Sequence, residues 1–207
     1  MILLDGKKTS QEIKEEIKLK VSAMKERGER APHLAAVLVG SDGASLTYVG
    51  SKVRSCEQIG FESTLIRLED DTTEEALLLQ IEQLNQDATL DGYIVQLPLP
   101  KHINEERVLL AIDPKKDVDG FHPANFGRMA LDLDAFIPAT PFGIMQLLER
   151  YKVPTSGKHC VVVGRRHIVG RPISILMSQK GPARDATVTV AHSRTQNLAE
   201  LTRQADI

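Results

Sequence analysis

The sequence predicts an α/β fold of two lobes, and three observations support this. Apolar strands alternate with amphipathic helices in βαβ order, with connections long enough for parallel pairing. Residues 112–139 lack that pattern and are rich in Pro, Gly and Asp, as expected of a segment that crosses between lobes. A new series of strands and helices follows this segment. We therefore predict one domain at residues 1–139 and a second at 140–207.

The elements of the first lobe follow from apolar periodicity and from helix-end signals. Apolar side chains recur at helical spacing in the first long segment, and Gly60 follows another such segment as a common helix stop. A strand that ends at Gly40 is continuously apolar, as expected of a buried strand. The predicted elements are a short strand at 1–4, a helix at 9–27, a strand at 35–39, a helix at 45–59, a strand at 61–68, a helix at 73–85 and a strand at 92–97.

The second lobe opens with a helix-start signal, because Thr140 can cap a helix and Pro141 suits the first helical position. The predicted elements are a helix at 140–151, a strand at 158–163, a helix at 172–180, a strand at 186–191 and a helix at 197–204.

Composition places the chain among ordinary globular proteins, with 42% hydrophobic and 26% charged residues. The net charge of −2 gives no reason to expect a nucleic-acid or membrane partner. Cys56 and Cys160 lie far apart without metal-ligand spacing, so we expect reduced packing residues and no metal. No apolar run approaches the roughly 18 residues of a membrane span, and residues 1–5 are too short for a signal peptide. We therefore expect a cytoplasmic protein.

Tyr48 and Lys52 are four residues apart on a predicted helix, so their side chains share one face. A suitably placed lysine can act as a general acid or base, and the ring can stack on a flat heterocycle. The pair alone is more typical of a surface lysine beside a half-buried tyrosine. Short-chain dehydrogenases also use such a pair, but their glycine-rich loop precedes it, whereas Gly164 follows Lys52 here.

Further polar groups fall at strand ends and turns. Gln96 ends a predicted parallel strand, where open α/β sheets bind ligands, and its amide needs a lysine, a substrate carbonyl or the loop backbone as partner. Leu97 and Pro98 begin a stiff segment that could form one wall of a binding site for a planar ligand. Asp117 or Asp119 could accept two hydrogen bonds from an aminopyrimidinone edge, although acids in turns are also commonly solvated or capping.

The segment 161–170 predicts a Rossmann-like dinucleotide-binding domain. A strand ends at Gly164, and Gly170 precedes Pro172 at the start of a helix, which suits a phosphate-binding turn although it is neither GxGxxG nor a Walker loop. NAD enzymes usually place an acid after the second strand, and none is present at 191–194. Arg165 and Arg166 lie in the first turn, and Ser193 and Arg194 follow the second strand. These cations and the serine favour a 2′-phosphate and hence NADP, unless the arginines are merely solvated.

Residues 205–207 fall where a dinucleotide half-fold requires a third strand, so we expect the sequence to be truncated at its C-terminus.

Several segments occur together in a characteristic order: Tyr48–Lys52, Asn85–Asp87, Val95–Pro98, Pro114–Phe121, Pro138–Gly143 and Val163–Pro172. Through them the whole chain resembles the bifunctional methylenetetrahydrofolate dehydrogenase/methenyltetrahydrofolate cyclohydrolase family. The chain departs from that family at Arg166, where relatives usually have serine. Two alternatives are an enzyme that retains one of the two activities and an inactive folate- or nucleotide-binding fragment.

The resemblance implies NADP-dependent oxidation of 5,10-methylenetetrahydrofolate and hydrolysis of the product to 10-formyltetrahydrofolate, in a cleft between the lobes. It also implies a homodimer formed through the nucleotide lobes, and one-carbon supply for purine, histidine and methionine biosynthesis. The implied roles are a general acid/base at Lys52, oriented by Gln96; folate stacking at Tyr48; substrate contacts at Leu97 and Pro98; a hold on the pterin edge at Asp119; and NADP contacts at Gly164, Arg165 and Ser193.

Overall fold

The computed structural model describes residues 3–207, which cluster into two compact units. The first unit is Lys7–Val118, and the second comprises Asp119–Ile207 together with the N-terminal residues up to Gly6. The segment 119–139, which the sequence analysis assigned to the first domain, clusters with the second unit. A functional division at residue 139 stays a prediction.

The first unit contains a parallel three-stranded sheet in the order β2 (Glu62–Leu68), β1 (His33–Val39) and β3 (Gly92–Val95), as the βαβ pattern predicts. In register, His33 of β1 lies opposite Glu62 of β2, and Leu34 lies opposite Gly92 of β3. Its elements are α1 (Gly6–Glu26), β1 (His33–Val39), α2 (Gly43–Ile59), β2 (Glu62–Leu68), α3 (Glu74–Gln86), β3 (Gly92–Val95) and α4 (Glu105–Ala111).

The central strand β1 is buried on both faces because helices cover both sides of the sheet. Ala35, Val37 and Val39 belong to a cluster that includes α3 side chains. Ala36 and Leu38 belong to a second cluster, which includes Val49 of α2. Burial on both faces explains the continuous apolar run of this strand. The sheet therefore fixes α2 on one face and α3 on the other.

The second unit contains the parallel strands β4 (His159–Val163) and β5 (Thr187–Ala191), which pack on helices through a separate core. Cys160 lies in that core, which confirms its predicted packing role, and burial raises the pKa of its thiol. The elements are α5 (Pro123–Ala130), α6 (Ala139–Arg150), β4 (His159–Val163), α7 (Gly170–Ser178), β5 (Thr187–Ala191) and α8 (Leu198–Arg203).

The last residues pair with the free edge of β4. Ile207 accepts a hydrogen bond from the Val161 N–H at 2.9 Å, and the Asp206 N–H donates to the His159 carbonyl at 2.8 Å. The other edge of β4 pairs with β5, and directly after β4 the Gly164 N–H donates to the Ala191 carbonyl at 2.8 Å. Residues 206–207 thus lie where the sequence predicts a further strand.

Most predicted elements are confirmed, with ends that differ by a few residues, but two helices were missed. The signals for α4 and α5 were present: Asn104 accepts from the N–H groups of Glu106 and Arg107, and Pro123 occupies the first turn of α5. Of the strand predicted at 1–4, residues 1 and 2 lie outside the described residues, and Leu3 and Leu4 form no strand. None of the helices between residues 3 and 207 is long and apolar enough to cross a membrane.

Candidate functional site

The turn from β1 into α2 is held by two carboxylates. Gly40 has a φ of +86°, and a Cβ atom there would collide with Asp70 Oδ1. Asp70 accepts hydrogen bonds from the Ser41 backbone N–H at 3.3 Å and from its hydroxyl at 2.9 Å. Asp42 then caps α2 by accepting from the Ser45 N–H at 2.8 Å. These contacts fix the start of the helix that carries Tyr48 and Lys52. Asp70 was not among the predicted site residues, although an acid two residues after β2 is a signal for a loop anchor.

The exposed face of α2 presents Tyr48 and Lys52. Val49 is buried against the sheet with 1% of its surface exposed, which turns its neighbours outward. Tyr48 is 65% exposed, so its ring is accessible for stacking rather than half-buried. The spacing that predicted a shared face therefore produces an accessible aromatic ring and an amine one turn apart.

Gln96 follows β3 directly and links Lys52 to the loop that begins at Leu97. Its backbone N–H donates to the Val37 carbonyl at 2.9 Å, which continues the parallel ladder. The Lys52 ammonium donates to Gln96 Oε1 at a long 3.5 Å, and Gln96 Nε2 donates to the Leu97 carbonyl at 2.7 Å. Two of the predicted partners, a lysine and the loop backbone, are thus both present. The Leu97–Pro98 peptide is cis, and Pro98 is exposed.

The structure separates the two acids that the sequence left as alternatives. Asp117 is 2% exposed and forms an isolated parallel bridge with Tyr93 at the outer edge of β3. A carboxylate buried in this way is poorly placed to receive a ligand. Asp119 is partly exposed and begins the second unit. Asp119 is therefore the better candidate for a ligand-binding carboxylate.

A groove of about 710 Å³ opens where β4 and β5 end. Gly164, Arg165, Arg166 and Ser193 all line it, so the structure brings four of the five predicted cofactor residues together. Among the described residues Arg194 lies outside that lining, and its role stays a prediction. The remaining lining residues are Val162, Val163, Ile168, Val169, Gly170 and His192.

Two glycines shape the turn beside this groove. Gly164 has a φ of +143°, a region that side chains other than glycine rarely adopt. A Cβ atom on Gly170 would collide with the Gly164 carbonyl and lie 2.8 Å from the Arg165 nitrogen. Glycine therefore lets the start of α7 pack directly on the preceding turn, as close helix–strand packing in dinucleotide folds requires.

The groove has the chemistry that a phosphorylated dinucleotide needs. Valine and isoleucine walls suit a flat base, and the start of α7 favours negative charge. Arg165 and Arg166 add two cations, and no acid lines the groove within residues 3–207. This combination fits a 2′-phosphate better than a free ribose hydroxyl. The same part of the chain holds no group of three His, Cys, Asp or Glu side chains suited to a metal.

Two family descriptions match most of the chain. Residues 4–119 match "Tetrahydrofolate dehydrogenase/cyclohydrolase, catalytic domain", and residues 138–207 match the NAD(P)-binding domain of the same family. The bifunctional protein FolD of Flavobacterium johnsoniae is 69% identical over all 207 residues, which span 70% of its length.

Solved structures agree with these matches. The bifunctional FolD methylenetetrahydrofolate dehydrogenase/cyclohydrolase of Campylobacter jejuni is 45% identical with a TM-score of 0.94, covering 100% of this chain and 72% of that one. The Trypanosoma brucei enzyme, solved with NADP and an inhibitor, is 33% identical with a TM-score of 0.92, covering 99% and 69%.

Proposed function

Because the chain belongs to the tetrahydrofolate dehydrogenase/cyclohydrolase family, we propose that Tyr48, Lys52, Gln96 and Asp119 act on folate in its two reactions. These are NADP-dependent oxidation of 5,10-methylenetetrahydrofolate to the methenyl cation and hydrolysis of that cation to 10-formyltetrahydrofolate. The observation that carries the proposal is the contact between Lys52 Nζ and Gln96 Oε1 at the ligand end of a parallel sheet.

In the hydrolytic step, Lys52 transfers the proton. Water adds to the carbon between N5 and N10, and the Lys52 amine takes a proton from it as the C–O bond forms. The resulting ammonium gives that proton to N5 as the C–N5 bond breaks, and the remaining hydroxyl proton leaves to solvent to form the formyl group. Gln96 holds the Lys52 nitrogen in place through its Oε1 atom. Tyr48 stacks on the folate, Leu97 and Pro98 border it, and Asp119 accepts hydrogen bonds from its pterin edge.

In the oxidative step, these residues chiefly orient the substrate. NADP, when bound, supplies the acceptor for the hydride. Gly164 and Gly170 would leave room for the cofactor's diphosphate beside the backbone. Arg165, Arg166 and Ser193 would hold its 2′-phosphate, with Arg194 nearby in sequence. Tyr48 and Lys52 align the donor carbon, which is the main contribution a binding site makes to such a reaction.

The proposed activities can be tested in one absorbance experiment. The protein is mixed with methylenetetrahydrofolate and NADP, and formation of reduced nicotinamide is followed, then repeated with NAD. We expect turnover with NADP and slower turnover with NAD, because the groove carries cations and no acid among its lining residues. Turnover with neither cofactor, or faster turnover with NAD, would contradict the proposal.

Arginine at the groove should determine the preference for NADP. We expect Arg165→Ala and Arg166→Ala each to weaken NADP binding by roughly ten- to a hundredfold, as loss of a charge-assisted hydrogen bond typically does. NAD binding should change little, since NAD lacks the 2′-phosphate. Isothermal titration with both cofactors measures the two affinities, and Arg203→Ala on α8 serves as the matched control. Equal weakening of NAD and NADP would show that these arginines do not recognise the 2′-phosphate.

We further propose a homodimer formed through the nucleotide-binding units, a cytoplasmic location, and one-carbon supply for purine, histidine and methionine biosynthesis. Family membership supports these proposals, and the net charge of −2 is in keeping with small-molecule rather than nucleic-acid partners. Light scattering of the purified protein at several concentrations tests the dimer. A mass of one chain at every concentration would argue against it.

A further inference from the structure

A buried hydroxyl and an amide tie the chain after α4 to α3 and β3. The Tyr93 side chain is fully buried, and its hydroxyl donates to Asn85 Oδ1 at 2.7 Å. The same oxygen accepts from the Asp113 N–H at 2.9 Å, and Asn85 Nδ2 donates to the Ala111 carbonyl at 2.8 Å. Burial, followed by the charges of Asp113 and Asp117, raises the pKa of Tyr93, so its hydroxyl stays a donor. Asn85 therefore fixes both sides of the turn that ends α4.

Lys116 attaches the next part of this segment. Its ammonium donates to the Leu84 carbonyl at 2.8 Å and the Asp87 carbonyl at 2.6 Å, at the negative end of α3. Its own carbonyl accepts from the Tyr93 N–H at 2.9 Å. Lys116 thus joins this segment to α3 through its side chain and to β3 through its backbone carbonyl. The neighbouring Lys115 is exposed.

The chain is closely held on both sides of Asp119. Before it, a Cβ atom on Gly92 would collide with Val118 and lie 3.2 Å from the Lys116 carbonyl, so this segment lies directly against β3. After it, Gly120 has a φ of +67°, and a Cβ atom there would lie 2.6 Å from the Phe136 carbonyl. Asp119 is therefore the residue between two fixed stretches of backbone, each anchored within its own unit.

We propose that Lys116, assisted by Asn85 and Tyr93, is a positioning residue for folate binding. Lys116 fixes the backbone that leads into Asp119, so the Asp119 carboxylate is already in position for the pterin edge. Less conformational entropy is therefore lost when folate binds. The inference rests on the proposed function, in which Asp119 holds that edge. Lys116 has no contact with substrate in this scheme and acts only through Asp119.

The direct test is to replace Lys116 with methionine, which removes the ammonium and keeps the chain length. We expect tetrahydrofolate to bind about tenfold more weakly, with NADP affinity changed by less than about twofold, because the groove residues lie elsewhere. Lys116→Arg should restore most of the affinity, since a guanidinium can still donate to the two carbonyls. Lys115→Met makes the same charge change one residue away and should leave both affinities unchanged. Titration calorimetry measures the affinities, and thermal unfolding verifies that each variant is folded.

A double variant separates positioning from an independent effect. If Lys116 acts through Asp119, Lys116→Met combined with Asp119→Ala should bind tetrahydrofolate as weakly as Asp119→Ala alone. Losses that multiply, an equal loss of NADP affinity, or wild-type tetrahydrofolate binding by Lys116→Met would each overturn the inference. Should that variant not fold, Tyr93→Phe provides the test, with an expected loss of about threefold. Wild-type binding by Asp119→Ala would instead refute the proposed role of Asp119, and the inference with it.

Discussion

Replacing Lys52 with methionine is expected to abolish hydrolysis of methenyltetrahydrofolate while leaving most of the NADP-dependent oxidation. Removing a general acid/base costs about 10²- to 10⁴-fold in rate, and methionine provides no group that can carry the proton. Oxidation depends on Lys52 for alignment only, so its loss should be much smaller. Decay of methenyl absorbance measures hydrolysis, and reduced nicotinamide measures oxidation, in the same preparation.

The control for this experiment lies on the same helix. Arg54 is exposed and two residues beyond Lys52, so Arg54→Met removes a cation from α2 on a different face. We expect both activities to survive that change. If both activities also survive Lys52→Met, the role assigned to Lys52 is wrong. If both disappear together, Lys52 acts chiefly in substrate binding rather than in proton transfer.

Much of the proposed folate site could be predicted because its signals are local. Tyr48 and Lys52 share a face through helical spacing, and the spacing is visible in the sequence. Gln96 stands out as an amide at the end of an apolar strand, and its need for a partner predicted a lysine, a substrate carbonyl or the loop backbone. The contacts with Lys52 and Leu97 match the first and last of these. The shared face of Tyr48 and Lys52 was the more direct prediction, because periodicity within one helix determines side-chain direction.

The residues around Asp117 and Asp119 could not decide between these two acids, because their burial depends on a long-range pairing; in the sequence, only the family resemblance favoured Asp119. Asp117 is buried because the chain at 116–118 runs along the outer edge of β3, where the Lys116 carbonyl accepts from Tyr93. Strand β3 lies more than twenty positions earlier in the chain, and no sequence pattern near Asp117 predicts the pairing with it.

Close contacts between backbone segments could not be predicted from the sequence either, and Gly170 is the clearest case. Its position before Pro172 suggested a phosphate-binding turn, but only the structure shows that it lies against Gly164 and Arg165. A side chain at Gly170 meets backbone atoms, which cannot rotate away as a flexible side chain can. The shape of the groove at the ends of β4 and β5 therefore depends on the absence of a Cβ methyl group at Gly170.

Gly170→Ala should accordingly reduce NADP affinity by about two orders of magnitude, because the turn that carries Arg165 must shift to admit the methyl group. Overpacking should also destabilise the fold by about 1–3 kcal/mol. Gly143→Ala is the matched control: it adds a methyl group in α6 with no neighbouring atom within 4 Å. That variant should keep its NADP affinity and gain up to about 1 kcal/mol, as alanine favours a helix over glycine. Titration calorimetry and thermal unfolding distinguish the two variants, and unchanged NADP binding by a folded Gly170→Ala protein would show that NADP does not depend on this turn.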